Sequence, residues 1–224
     1  MRFRPAPRAP DRGSGRGDDR GSVPGEMPTV VVPFRGTDPK RRLSALTESD
    51  RLRLAEAMLA DVLAAAVVVG DVFVVAPDLP LLPVGAQHVA DPRRGLGAAV
   101  RAGLDAAAGV GAAGPYLVVN ADLPCAEPRD LLALAGAVPA DGLALVVADD
   151  GTTNALAFDD ERLFEPVYGP GSAERFEALG PSRRVDAPNL MDDVDTLDDL
   201  SRLALRLGPV TRAVLATVHL GAAA

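Results

Sequence analysis

The sequence is poor in the residues that build soft-metal and covalent-nucleophile sites. It has one cysteine, Cys125, and two histidines, His88 and His219, in 224 residues. One cysteine excludes an intramolecular disulfide and leaves little room for a cysteine-based zinc site. Two histidines argue against a multi-histidine metal centre. Any metal must then be held by carboxylates, which favours hard cations such as Mg²⁺ or Mn²⁺. No stretch of about 20 apolar residues runs free of charges or breakers, so a membrane span is not expected. Excess positive charge is missing too: 23 basic against 31 acidic residues give a net charge of −8. A chain built to coat nucleic acid is usually strongly basic. What the chain does have is 48% hydrophobic residues, enough to bury the core of one α/β domain.

Two regions differ in character. Residues 1–27 are rich in Pro, Gly and Arg and have no apolar period, so they read as a disordered tail without the apolar core of a signal peptide. Met27, directly before the first strand-like run, is a plausible alternative translation start. Residues 28–224 alternate strand-like and helix-like segments. Thr29–Phe34, Val72–Ala76, Gln87–Ala90, Tyr116–Asn120, Leu143–Ala148, Asn154–Phe158 and Arg183–Ala187 read as strands. Segments 47–66, 96–108, 128–137, 172–179 and 196–207 read as helices, the last capped by Thr196 or Asp195. Continuous apolar strands separated by helices predict a mostly parallel sheet covered on both faces. Ligands of such sheets bind beyond the carboxyl ends of the strands, so the chemistry belongs in those loops.

Five loops carry candidate residues. After the first strand, Arg35, Lys40, Arg41 and Arg42 gather four cations in eight positions, and Lys40 is the only lysine of the chain. Such a loop suits a triphosphate, or is merely a solvated basic turn; it lacks the glycines and Lys-Ser/Thr pair of a Walker loop. Asp122 follows the fourth strand in Asn120-Ala121-Asp122-Leu123-Pro124, where a proline turn can hold a metal ligand rigidly or simply shape a turn. Asp193 and Asp195 lie two apart, which in extended chain puts both carboxylates on one face, about 7 Å apart at Cα. A bridging cation relieves their repulsion. A helix cap accounts for Asp195 but not for Asp192 and Asp193. Tyr168-Gly169-Pro170-Gly171-Ser172 before a helix reads either as an anion cradle of free amides or as a loop with Ser172 as N-cap. Gly95-Leu96-Gly97 looks like part of a dinucleotide fingerprint, but its spacing is wrong, and a tight turn into a closely packed helix explains the glycines. Cys125 has no histidine nearby in sequence and reads as a packing residue.

Taken in order, Val32-Pro33-Phe34-Arg35 with Lys40-Arg41-Arg42-Leu43, Ala121-Asp122-Leu123-Pro124, Thr153-Asn154-Ala155-Leu156, Gly169-Pro170-Gly171-Ser172 and Asp193-Val194-Asp195-Thr196 resemble the guanylyltransferases of coenzyme F-420 biosynthesis, the 2-phospho-L-lactate or phosphoenolpyruvate guanylyltransferase family. The resemblance spans about Val30 to Leu205. It implies a single-domain, nucleotidyltransferase-like (Rossmann-like) three-layer α/β sandwich with a mostly parallel mixed sheet. It implies GTP and phosphoenolpyruvate or 2-phospho-L-lactate as substrates, pyrophosphate as a product, and Mg²⁺ held by Asp122, Asp193 and Asp195. It places Thr153, Gly169 and Ser172 at the acceptor, and Arg35, Lys40, Arg42 and Gly95 at the nucleotide, with Lys40 and the three aspartates as the catalytic set. The chain departs from the pattern at Asn120, Arg41 and Gly97, where the family commonly has proline, serine and asparagine. The Gly-rich first loop of sugar and molybdopterin nucleotidyltransferases is absent. The expected setting is cytoplasmic, with small-molecule partners, no nucleic acid and no membrane, and a homodimer as a possible assembly. A non-catalytic nucleotide-binding or regulatory domain of the same fold is the alternative, and loss of the acidic ligands would signal it.

Overall fold

The structure, a computed structural model, describes residues 27–35, 43, 46–78 and 82–218. Its seven strands are β1 (Thr29–Pro33), β2 (Asp71–Ala76), β3 (Ala86–Ala90), β4 (Tyr116–Val119), β5 (Leu143–Val147), β6 (Thr153–Phe158) and β7 (Ser182–Arg184). They form one sheet in the order β3-β2-β1-β4-β6-β5-β7. Only β6 runs against its neighbours, β4 and β5; the other pairings are parallel. The helices are α1 (Glu48–Val69), α2 (Leu96–Gly109), α3 (Pro128–Ala135), α4 (Ser172–Glu177), α5 (Pro188–Met191), α6 (Leu197–Arg202) and α7 (Pro209–Leu215).

The strand period sorts the core into two layers. From β1, Val30 and Val32 join Val72, Val74, Leu117 and Val119 on one face, under Leu54, Met58 and Val62 of α1 and Leu131 and Leu134 of α3. Val31 points the other way, with Phe73, Val75, Val118 and Leu156, against Ala99, Val100 and Leu104 of α2. The second face carries a run of rings, Tyr116, Phe158, Phe164, Tyr168 and Phe176, with successive centroids 5.1–6.2 Å apart. This run extends from the sheet into the loop that bears Gly169. The result is helices over both faces of a mixed, mainly parallel sheet, as expected. No helix among the described residues is long and apolar enough to cross a membrane.

Local chemistry sets the element ends. Thr47 caps α1, its hydroxyl oxygen accepting from the Asp50 amide at 3.1 Å. The turn Asp149-Asp150-Gly151 reverses the chain between β5 and β6, with Gly151 at φ +80° and the Asp150 carboxylate accepting from the Thr152 amide. Because β6 is antiparallel to β4, the start of β6 lies beside the end of β4. Val119 pairs with Ala155, and the Asn120 amide donates to the Asn154 carbonyl at 3.0 Å. One reversed strand thereby brings Thr153 and Asn154 to the edge where β1 and β4 end.

The C-terminal part differs most from expectation. Strand β7 covers Ser182–Arg184 rather than 183–187, and α6 stops at Arg202 rather than reaching 207. A further helix, α7, follows Gly208-Pro209, with proline at its tolerated first position. Its start is capped from another helix: Asp61 of α1, 4% exposed, accepts from the Val210 amide at 3.0 Å and the Thr211 amide at 2.8 Å. The approach requires glycine at 208, where a Cβ would lie 2.2 Å from the Asp61 carboxyl carbon.

Candidate active site

Beyond the strand ends, the three separated aspartates converge. Asp122, Asp193 and Asp195 each offer a carboxylate oxygen, and these oxygens all lie within 4.8 Å of one another. Asp122 comes directly off β4. The Asp193–Asp195 segment, between α5 and α6, docks beside it through a backbone bond from the Val194 amide to the Asp122 carbonyl at 3.1 Å, with the Val194 side chain fully buried. The alternation of an extended segment does the rest: Val194 turns inward and its two acidic neighbours turn together toward Asp122.

The structure separates the roles of this acidic cluster. Asp195 is not the cap of α6. Thr196 is, in a reciprocal capping box with Asp199, whose carboxylate accepts from the Asp195 amide at 3.2 Å and the Thr196 amide at 2.8 Å. Asp192 points away to the arginines of α6 and its C-terminal turn, bonding Arg202 and, at 2.7 Å, Arg206. Partial burial pushes the Asp192 carboxyl up, but the hydrogen bonds from Arg202 and Arg206 outweigh it and hold the group below its ordinary value. The buried Asn154 side chain donates to the Met191 carbonyl at 2.9 Å, fixing the other end of the segment. Asn154, Arg202, Arg206 and Asp199 were not among the expected site residues. Asn154 stands inside the Thr153-Asn154-Ala155-Leu156 motif, whereas the other three had only proximity to the motifs as a signal.

A cavity of about 810 Å³ is lined by Arg35, Arg94, Gly95, Gly97, Tyr168 and Gly169 among others. It brings together Arg35 and Gly95, expected at the nucleotide, with Gly169, expected at the acceptor. The three aspartates are not part of its lining. Gly95 caps α2 at φ +96° with no side-chain hydrogen bond. Arg101 ties α2 to the opposite wall, donating to the carbonyls of Glu161 and Phe164 and lying 5.0 Å over the Phe164 ring. Gly97 meets Pro166 so closely that a Cβ would lie 2.4 Å from the proline Cβ and 3.1 Å from its Cα. The space that an asparagine side chain would need there is already filled. Gly97→Ala is therefore expected to push the 166–169 loop off α2 and lower stability by about 1–3 kcal/mol, read as a lower midpoint in thermal unfolding. An unchanged midpoint would show that the loop yields freely.

Thr153 and Ser172 also meet, but as a buried pair. The Ser172 hydroxyl oxygen accepts from the Thr153 amide at 3.0 Å and its hydroxyl donates to Thr153 Oγ1 at 3.2 Å. The pair joins the start of β6 to α4. Gly171, not Ser172, is the N-cap of α4. Of the amides in this loop, that of Ser172 donates to the Gly169 carbonyl at 2.9 Å and that of Ala173 to the Gly151 carbonyl at 3.3 Å, while Arg175 donates to the carbonyls of Val167, Tyr168 and Pro170. Cys125 is buried, and burial pushes its thiol up, which fits packing rather than nucleophilic attack. Lys40, Arg41 and Arg42 lie outside the described residues.

A mixed, mainly parallel sheet with three carboxylates converging beyond its strand ends, and a cavity lined by arginines and glycines, is an arrangement suited to a nucleotide-handling enzyme. The MobA-like NTP transferase domain family matches residues 45–184, beginning just past the basic first loop. A 2-phospho-L-lactate guanylyltransferase of Natrialba magadii is 35% identical over 195 residues, covering 76% of this chain and 80% of that one. A phosphoenolpyruvate guanylyltransferase of Rhodococcus opacus is 36% identical over 204 residues, covering 79% and 84%. The chain belongs to the MobA-like NTP transferase family and, within it, to the phosphoenolpyruvate and 2-phospho-L-lactate guanylyltransferases. Among solved structures, the 2-C-methyl-D-erythritol 4-phosphate cytidylyltransferase of Thermus thermophilus shares the fold, with a TM-score of 0.51 at 19% identity over 85% of this chain and 99% of that one.

Proposed function

We propose that this enzyme transfers GMP from GTP to phosphoenolpyruvate, or to 2-phospho-L-lactate, releasing pyrophosphate. The observation that carries the reading is the convergence of Asp122, Asp193 and Asp195 within 4.8 Å. Three carboxylates so close repel one another strongly, and a divalent cation offsets that repulsion. The all-oxygen donor set fits Mg²⁺. Bound there, the cation would neutralise charge between two anionic reactants and on the leaving pyrophosphate.

The rest falls to the chain's own groups. Arg35 and the Gly95 turn border a cavity of nucleotide size and supply positive charge and amides to the GTP. Lys40 and Arg42 join them from the first loop in this reading. Thr153, Gly169 and Ser172 shape the acceptor side, next to the β4 end that carries Asp122. The acceptor phosphate is already ionised near neutral pH. Its oxygen forms the new bond to the α-phosphorus as the bond to the β-phosphate oxygen breaks, so no general base is needed. Of the two histidines, His88 lies on the edge strand β3 with its ring bonded to the Ala76 carbonyl at 2.8 Å, and His219 lies outside the described residues.

The test is product analysis. Full-length protein is incubated with GTP, Mg²⁺ and each acceptor, and the products are analysed by mass spectrometry. We expect a guanylylated three-carbon acid plus pyrophosphate, with phosphoenolpyruvate preferred. Failure of both acceptors would overturn the reading.

A further inference from the structure

We infer that Arg202, a residue outside the expected site, is a positioning residue that sets the divalent-cation affinity of the acidic pair by gripping both ends of the segment that carries it. The inference rests on the metal-binding reading of Asp122, Asp193 and Asp195.

The segment that carries Asp193 and Asp195 is gripped at both ends. On the N-terminal side is Asp192, and one arm of the Arg202 guanidinium bonds its carboxylate. On the C-terminal side is Asp199. The other arm of Arg202 donates to Asp199 Oδ1 at 3.2 Å, while Asp199 Oδ2 accepts the amides of Asp195 and Thr196. One planar fork thus spans the segment, ending at Asp192 in front and, through Asp199, at the Asp195 backbone behind. Arg206 reinforces the front end. It donates to Asp192 Oδ2 at 2.7 Å, to the Pro188 carbonyl at 2.6 Å and to Asn189 Oδ1 at 3.0 Å.

This grip has two physical consequences. It fixes the backbone to which both carboxylates are attached, so less ordering remains to be done when a cation binds. It also removes Asp192 from the set of competing ligands. Three of the four residues 192–195 are aspartates, and an unrestrained Asp192 would offer a cation a second, poorer arrangement. Arg202 is half exposed, at 49%. A single pair at such exposure contributes little to stability, so the network of two arginines and two aspartates acts chiefly on the geometry of the segment. Lysine could not replace it, because a point charge cannot hold two carboxylates in one plane.

The sign of the effect separates this role from simple electrostatics. Arg202→Gln removes a positive charge close to a cation site, and Coulomb's law alone would tighten cation binding. Positioning predicts the reverse. Mn²⁺ binding to the full-length protein is read from the free-ion signal in electron paramagnetic resonance, without turnover. Arg202→Gln is expected to weaken it about tenfold, the effect typical of losing an outer-shell partner. The double variant Arg202→Gln with Asp192→Asn should stay weak, whereas compensating charges would return it to the parent value. Arg202→Lys keeps the charge and loses the fork, so intermediate weakening is expected, and it carries the test if the glutamine variant fails to fold. Unchanged or tighter Mn²⁺ binding in a folded Arg202 variant, with the parent protein binding normally, overturns this inference alone. A parent protein that binds no Mn²⁺ overturns the metal-binding reading itself.

Discussion

Asp193→Ala and Asp195→Ala should each cut turnover about a thousandfold. A bound cation contributes several kcal/mol of charge stabilisation to a transfer between anions, and about 4 kcal/mol corresponds to three powers of ten. The fold should survive, because the backbone anchors do not involve these side chains. Val194 still bonds Asp122 and Asp199 still accepts the Asp195 amide. Removing one of three crowded carboxylates relieves part of their mutual repulsion in the metal-free protein. Saturating Mg²⁺ should raise the parent's midpoint and leave the variants nearly unmoved, since only a ligand bound to the folded state stabilises it. Turnover is to be measured across a Mg²⁺ titration, because excess metal can mask the loss of one ligand. Near-parental turnover in both variants at limiting Mg²⁺ would reduce the acidic pair to a feature of local structure.

The second large effect concerns stability. Asp61→Ala should cost about 3 kcal/mol, since it strips a buried carboxylate from two backbone N–H donors and leaves both unsatisfied at the start of α7. For a chain of this size that is a fall of roughly 6–12 °C in the unfolding midpoint. Asp61→Asn keeps one acceptor and should lose less. The loss should reach the site as well. The Gly208 amide at the head of α7 bonds the Pro124 carbonyl at 2.7 Å, two residues from Asp122. A weakened α7 therefore frees the loop that follows Asp122. An Asp61→Ala midpoint within a degree of the parent would mean that water replaces the carboxylate at little cost.

These aspartates mark how far the sequence can be read. Asp122, Asp193 and Asp195 were legible because each stands at a break in a periodic pattern, after a strand or before a helix, and because their motifs occur in a familiar order. Asp61 was not. Within α1 it is one more acidic residue of an amphipathic helix, and only the packing of α7 on α1, 149 positions on, makes it a cap. The end of α6 was missed for a related reason. Its apolar period continues through Leu203 and Leu207, both buried, although the backbone leaves the helix after Arg202. Burial preserves the period where hydrogen bonding does not.

The same division holds at the site. Thr153 and Ser172 were singled out together, yet nothing in their order shows that their hydroxyls bond each other. That contact depends on β6 lying antiparallel beside β4 while α4 folds over the opposite sheet edge. Asp192 is chemically identical to Asp193, and local spacing cannot tell them apart. Arg202 and Arg206, 10 and 14 positions further on, decide which one they neutralise.

By itself, then, the sequence determined the alternation of strands and helices and the scarcity of cysteine and histidine ligands, and it singled out the three aspartates that converge, because periodicity and side-chain chemistry are local properties. Only the tertiary structure decided which carboxylates face one another and which are bound by arginine, where the cavity opens, and which helix caps which, because those depend on distances across the sheet that no local pattern encodes.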